Sequence, residues 1–331
     1  WSAFNILSHG WFTFEETKGN LVTKDAYSYV DYAMGHNPDN RMPLWIKPAK
    51  KVTVKNVADV MRDHYEGTPM DMTTDIGAGG NALPYRWRPM DFEYEGKKYT
   101  NERAIATQQT GFWFVGQARG NYPDVIGGIL WFGTDDAATS YVTPIYSNTE
   151  KVPECFRQGN GNLLSYSATS SFWINNRISN ACYRMYNIMA PYVRERIDKF
   201  ENEQMEKVRQ NDVKALELFK KSMDSAEKVG KKKSLAYDVM TDTGASFAAV
   251  KRLLTSYSVK TAQDIFKQWQ ELEVTLTVKF IDGNVKAQNA DGSFKHTDFS
   301  AGIPDGLTQP GYTDTWKEAV VHFHGDVIEE K

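Results

Sequence analysis

Gly111-Phe112-Trp113-Phe114-Val115-Gly116-Gln117, Gly127-Gly128-Ile129-Leu130-Trp131-Phe132-Gly133 and Ser140-Tyr141-Val142-Thr143-Pro144-Ile145-Tyr146 are the three runs whose reading decides the fold. They are rich in aromatic and β-branched residues. Asn121-Tyr122-Pro123-Asp124 and Asp135-Asp136 punctuate them, so they predict strands of an antiparallel meander. Ala104-Ile105-Ala106-Thr107 reads as a strand leading in, which extends the β-rich meander over 103–147. The first two runs are apolar on successive residues rather than alternate ones. That pattern predicts strands covered on both faces, inside a layered core.

Downstream, residues 165–278 read as helices. A long one starts at Phe172-Trp173-Ile174, with an interruption expected near Pro191 because proline removes an interior helix hydrogen bond. Residues 194–230 are charged, with apolar positions at Ile197, Phe200, Met205, Val208, Val213, Leu216 and Phe219. They predict an amphipathic hairpin or a projecting helix pair. Asp242 to Trp269 adds further helix, with Thr261 as its N-cap. Val274, Leu276, Val278 and Phe280 then alternate, and Asp282-Gly283 and Asp291-Gly292 are turn signals, so a small terminal hairpin is expected.

Upstream, Trp1-Ser2-Ala3-Phe4-Asn5-Ile6-Leu7 opens the chain inside an apolar, helix-like stretch, which reads as a fragment of a longer protein. A connector marked by Pro38, Pro43 and Pro48 follows. Val54, Val57, Ala58 and Met61 fit a short amphipathic helix with Thr53 as N-cap. Residues 71–100 read as loops. The expected organisation is a core segment over 1–160, a helical region over 161–273, and a hairpin and tail over 274–331.

Composition narrows the function classes. Of the 331 residues 41% are hydrophobic and 24% charged, as in ordinary globular chains, and no apolar run approaches the length of a membrane span. A net charge of −3 leaves no global basic field for nucleic acid. Cys155 and Cys182 are too few for a disulfide framework; they either pair or sit as buried thiols.

Few chemical motifs stand out. His322 and His324 would share one face of a strand, a weak metal signal without companions. Gly77-Ala78-Gly79-Gly80 reads as a flexible loop before an anion cradle, and Lys231-Lys232-Lys233 as a solvated loop. Asp135-Asp136 reads as a turn cap. Arg103, at the start of an expected buried strand, must either snorkel out or find a carboxylate or a thiolate, and beside a thiol it would lower the thiol's pKa.

A combination of strings is more specific than any of these. Met61-Arg62-Asp63-His64-Tyr65-Glu66-Gly67-Thr68-Pro69 is followed by Asn101-Glu102-Arg103-Ala104-Ile105 and Gln109-Thr110-Gly111-Phe112-Trp113. Ile126-Gly127-Gly128-Ile129-Leu130-Trp131-Phe132-Gly133, Thr143-Pro144-Ile145-Tyr146 and Val152-Pro153-Glu154-Cys155-Phe156 complete the order. It resembles the PepD-type dipeptidases, relatives of the choloylglycine hydrolases and penicillin V acylases, over residues 1–300.

The resemblance implies an α+β fold, part of an αββα N-terminal-nucleophile sandwich with an added helical region. It implies amide hydrolysis of short peptides by an N-terminal cysteine whose α-amino group is the general base, through a thioester, with no metal or organic cofactor needed. The matching segment of the family would precede this chain, so neither Cys155 nor Cys182 would be the nucleophile, and the isolated chain would be inactive. Arg103 would stand near that cysteine. Expected partners are a short peptide and the missing N-terminal segment, with homo-oligomerisation open, and the family's exported members imply periplasm or cell surface. Two alternatives remain: a non-catalytic peptide-binding or assembly module on the same fold, and an acylase of non-peptide amides.

Overall fold

The computed structural model describes residues 1–101, 103–228, 247–295 and 306–323. The chain divides into two compact units: residues 1–107 with 313–331, and residues 108–312.

In the first unit, α1 (Ser2–Ser8) leads into an antiparallel hairpin of β1 (Trp11–Thr17) and β2 (Asn20–Asp25). Alternation places Phe12 and Phe14 on one face of β1, where they bury with Ala26 and Tyr29. Phe12 stacks on Tyr29 at 5.9 Å and meets Phe4 edge-on at 6.0 Å. The short helix α2 (Val30–Ala33) and then α3 (Val54–Met61) follow. Thr53 caps α3 as its sequence position predicts: its hydroxyl accepts the Asn56 N–H at 3.2 Å, and Asn56 Oδ1 accepts the Thr53 N–H at 3.1 Å. Within 71–100, read as loops, the structure adds a hairpin of β3 (Asp91–Tyr94) and β4 (Lys97–Thr100). Its turn residues Glu95 and Gly96 have φ of 49° and 71°, the left-handed pair that a tight hairpin turn requires.

The second unit carries the expected meander. β5 (Phe112–Ala118), β6 (Gly128–Thr134) and β7 (Thr143–Tyr146) form one antiparallel sheet in that order, with the short α4 (Asp124–Gly127) between the first two. Residues 104–107, expected as a strand, are not one. Within this chain, among the described residues, only one of the two faces is covered. Trp113, Val115, Ile129 and Trp131 are buried on one face, whereas Phe112, Phe114 and Leu130 on the other are 62%, 50% and 36% exposed. A continuous apolar run has no period of its own, so the pleat, not the sequence pattern, decides which side chains meet a neighbour.

The outer edge of β7 is closed. Pro144 has no N–H, the Val142 N–H donates to Glu201 Oε1 at 3.0 Å, and the Tyr146 N–H donates to Ser258 Oγ at 3.1 Å. β5 has no second strand partner among the described residues.

Helices α5 (Ser171–Cys182), α6 (Tyr186–Lys228) and α7 (Ala248–Lys279) make the second unit's main core. Ile178 and Cys182 of α5 pack there with Val193, Ile197 and Phe200 of α6 and Ile265, Trp269, Leu272 and Leu276 of α7. Several expectations change here. The break expected near Pro191 falls at 183–185. Pro191 sits in the second turn of α6, where only one carbonyl loses its partner. Residues 194–228 are one helix, not a hairpin. Thr261 lies inside α7 rather than capping it. Residues 274–279 continue α7: Leu272, Leu276 and Phe280 are buried at helical spacing, and Val274 is 63% exposed.

A small terminal ladder does follow. β8 (Val285–Lys286) pairs with β9 (Leu307–Thr308), and an isolated bridge joins Gln288 to Phe294 around Asp291-Gly292. Returning to the first unit, α8 (Asp314–His322) closes the described chain. Mixed helices and small sheets make the fold α+β.

Candidate functional site

The string Asp63-His64-Tyr65-Glu66 in the first unit engages every one of its side chains. It leaves α3 through a tight corner in which Tyr65 adopts φ 67°, a conformation uncommon for a bulky residue. Asp63 accepts a hydrogen bond from the Ser2 hydroxyl, and its carbonyl accepts the Ala106 N–H at 3.0 Å. Burial raises the Asp63 pKa and the negative Glu66 adds to it, while the bond from Ser2 opposes both. His64 is fully buried between two partners, with Nδ1 3.0 Å from Glu66 Oε1 and Nε2 2.6 Å from the Tyr85 hydroxyl. Glu66 titrates low, at about 2: desolvation raises it, but hydrogen bonds and charge from His64 outweigh that. A carboxylate, imidazole and phenol in series fix the ring's orientation and can relay a proton.

The Tyr65 hydroxyl donates to the Arg103 carbonyl at 2.9 Å, which ties that residue's backbone to the corner. Tyr65 also lines a cavity of about 440 Å³ with Ser2, Tyr32, Met42 and Met70. Arg103 itself is exposed and precedes no strand, so the buried-strand setting expected for it is corrected. His64, Glu66 and Tyr85 were not singled out from sequence. Only the string around them marked the place, and nothing in it points to Tyr85, nineteen positions or more away.

The glycine loop lies in the same unit. Its backbone already holds an anion: the Asp75 carboxylate accepts the Ala78 N–H at 3.2 Å and pairs with Arg86. A Cβ on Gly77 would come within 2.6 Å of Arg86 Nε, so this glycine leaves room for the guanidinium. His322 ends a helix rather than lying on a strand, which corrects the H-x-H geometry; His324 and Lys231 to Lys233 lie outside the described residues. Among the described residues no group of three or more His, Cys, Asp or Glu could hold a metal ion.

A second polar centre closes the end of β6 in the other unit. Asp136 caps its turn as expected, accepting the Ala138 N–H at 3.0 Å. Asp135 does more. It takes φ 67°, and its carboxylate accepts from Asn176 Nδ2 at 2.9 Å and Ser179 Oγ at 2.7 Å. Ser171, Asn175 and Ser179 recur every four residues on α5, so one helical face meets the turn. Burial pushes Asp135 up to about 6, although the bonds from Asn176 and Ser179 pull the other way. Asp135, Asp136, Ser171, Asn175 and Ser179 are buried and Asn176 is half-buried, and together they anchor the turn.

Both cysteines are buried free thiols. Burial pushes Cys155 up to about 12, and burial with the nearby Asp136 charge raises Cys182. Neither offers the exposed, low-pKa thiolate that nucleophilic cysteine chemistry uses.

The family model for peptidase family C69 matches residues 26–203, and the chain belongs to that family. Over 140 residues it is 24% identical to the Probable dipeptidase B of Lactococcus lactis subsp. lactis (strain IL1403). That match covers 42% of this chain and 25% of the relative, so the chain spans a quarter of the length of the curated relative it matches.

Proposed function

We propose that the chain is part of a cysteine-type dipeptidase that hydrolyses short peptides with an N-terminal cysteine nucleophile lying outside these residues. The family match over residues 26–203, which takes in both the Asp63–Glu66 corner and the meander, is the observation that carries this reading. Attack by the thiolate on the scissile carbonyl forms a thioester and releases the amine of the C-terminal product. Water then cleaves the thioester, releasing the acid and restoring the thiol. The raised pKa of both internal cysteines agrees with a nucleophile elsewhere.

In this reading the exposed face of Phe112, Phe114 and Leu130 receives a second sheet, completing an αββα sandwich over the core segment 1–160. Arg103, exposed and tethered through its carbonyl to Tyr65, lends its guanidinium to the thiolate. The enzyme acts in the periplasm or at the cell surface.

The test uses the longest natural product that contains these residues. Intact mass and N-terminal sequencing of the mature protein should find an N-terminal Cys, and Cys→Ala there should abolish dipeptide hydrolysis. Arg103→Ala should lower kcat and shift the acidic limb of the pH–rate profile upward. Hydrolysis that persists after Cys→Ala would sink the mechanism.

A further inference from the structure

Between α6 and α7 lies a cleft of about 640 Å³ that the catalytic reading does not use. Its floor is apolar: Phe200, Trp269 and Leu272 are 7%, 2% and 5% exposed. Its walls carry fixed polar groups. The Tyr257 hydroxyl donates to Gln204 Oε1 at 3.0 Å, which leaves the Gln204 amide NH₂ as the donor in the lining.

The charges of the lining are unevenly matched. Lys207 pairs with Glu203 at 3.2 Å and Lys260 with Asp264 at 2.6 Å, each four residues apart on its own helix. Arg196 meets Glu195, 3.7 Å away and 81% exposed, and its Nη1 donates to the Tyr192 carbonyl at 2.8 Å. Lys199, exposed one turn further along α6, has no carboxylate partner among the described residues. Tyr192 meets two cations: the Arg196 guanidinium lies 3.4 Å from its ring centroid and the Lys279 ammonium 5.3 Å from it. Lys279 titrates low because of burial first and the Arg196 charge second, so the two cations already repel. The lining itself holds four cations, Arg196, Lys199, Lys207 and Lys260, against three acids, Glu203, Asp264 and Glu271, of which Glu271 is the one outside an ion pair among the described residues; Lys279 is not part of the lining.

An excess of positive charge beside an aromatic and aliphatic floor fits a ligand with an anionic end and an apolar body. We propose that this cleft is a second, non-catalytic site that binds short peptides by their C-terminal carboxylate. Arg196 and Lys199 hold the carboxylate, the Gln204 amide donates to a peptide carbonyl, and the Phe200–Trp269–Leu272 floor takes an apolar side chain. The choice of a peptide over another carboxylate rests on the peptidase reading; the cation–floor geometry does not.

Isothermal titration of the whole chain with N-acetyl-Phe-Leu tests this directly, because binding needs no turnover. The acid should bind saturably at millimolar concentration, roughly tenfold more tightly than the matching C-terminal amide, and more weakly as salt rises. Arg196→Gln with Lys199→Gln should remove that acid-over-amide preference. Lys199→Gln alone, at an exposed position, should reduce it with an unchanged circular dichroism spectrum and melting temperature. Equal binding of acid and amide, no binding of either, or a preference that survives the double variant overturns the site. Equal binding of 3-phenylpropionate overturns the peptide assignment. None of these outcomes bears on the cysteine mechanism, which hydrolysis by the mature protein decides separately.

Discussion

Replacing Asp212 tests the interior of the second unit most sharply. Its side chain on α6 is 1% exposed and forms a two-pronged contact with Arg119, which is 11% exposed. The same carboxylate accepts the Tyr146 hydroxyl at 2.8 Å, and Arg119 also donates to the Ile126 carbonyl at 2.7 Å and the Gly127 carbonyl at 3.2 Å. One pair thus ties the β5–β6 connection, the end of β7 and α6 together. Asp212→Ala strands a guanidinium in the interior and leaves a buried phenol short of an acceptor. Breaking a buried pair from one side costs about 3–5 kcal/mol. Arg119→Ala should cost at least as much, because it also ends the stacking on Tyr122 at 4.4 Å. Removing both leaves no stranded charge, so the double variant should fall short of the sum of the singles by about 1–3 kcal/mol. Urea unfolding followed by tryptophan fluorescence and far-UV circular dichroism measures all three, provided the slopes match the parent. A cost below about 1 kcal/mol for Asp212→Ala, or additive singles, would refute the buried-pair argument.

Three further outcomes are expected. Asp135 keeps its proton to about pH 6 in the fold, whereas an unfolded aspartate releases it near 4. Its contribution to stability is therefore full below about pH 4, falls as pH rises to 6, and is gone above; Asp135→Asn, which tolerates the left-handed backbone, should flatten urea midpoints across that window. Leu276→Ala should cost about 2–5 kcal/mol and Val274→Ala under about 0.5, as a helix requires; similar costs for both would restore the strand reading. A thiol-reactive dye at pH 8 should label neither Cys155 nor Cys182 in the native chain and both after denaturation; rapid native labelling of either would contradict their burial.

The sequence was most legible where local chemistry and the fold ask for the same thing. Thr53 and Asn56 make their capping box with no help from distant contacts, and the strands of the meander lie between their turn signals. It misled where an apolar pattern fits two periods. Val274 to Phe280 satisfies a spacing of two, but Leu276 and Phe280 also lie four apart, and the Trp269–Leu272 stripe ahead of them makes the helical face continuous. The hairpins β1–β2 and β3–β4 were missed because β2, β3 and β4 are exposed almost throughout, so no buried face patterns them. The His64 arrangement was beyond reach, since a corner and a tyrosine far along the chain build it together. Arg103 kept its neighbourhood to the family string but not its burial.

The sealed margin of β7 gives the meander a direction of growth. A ribbon normally offers two templates for a further strand, and both are hazards for sticking to a neighbour. Here proline and two side-chain acceptors from α6 and α7 have used up one of them. Any strand that joins this sheet in register, whether from the rest of the protein or from a misfolded copy, must arrive beside Phe112–Ala118. A native strand and a misfolded copy would therefore compete for the same seam, and whichever pairs there first excludes the other.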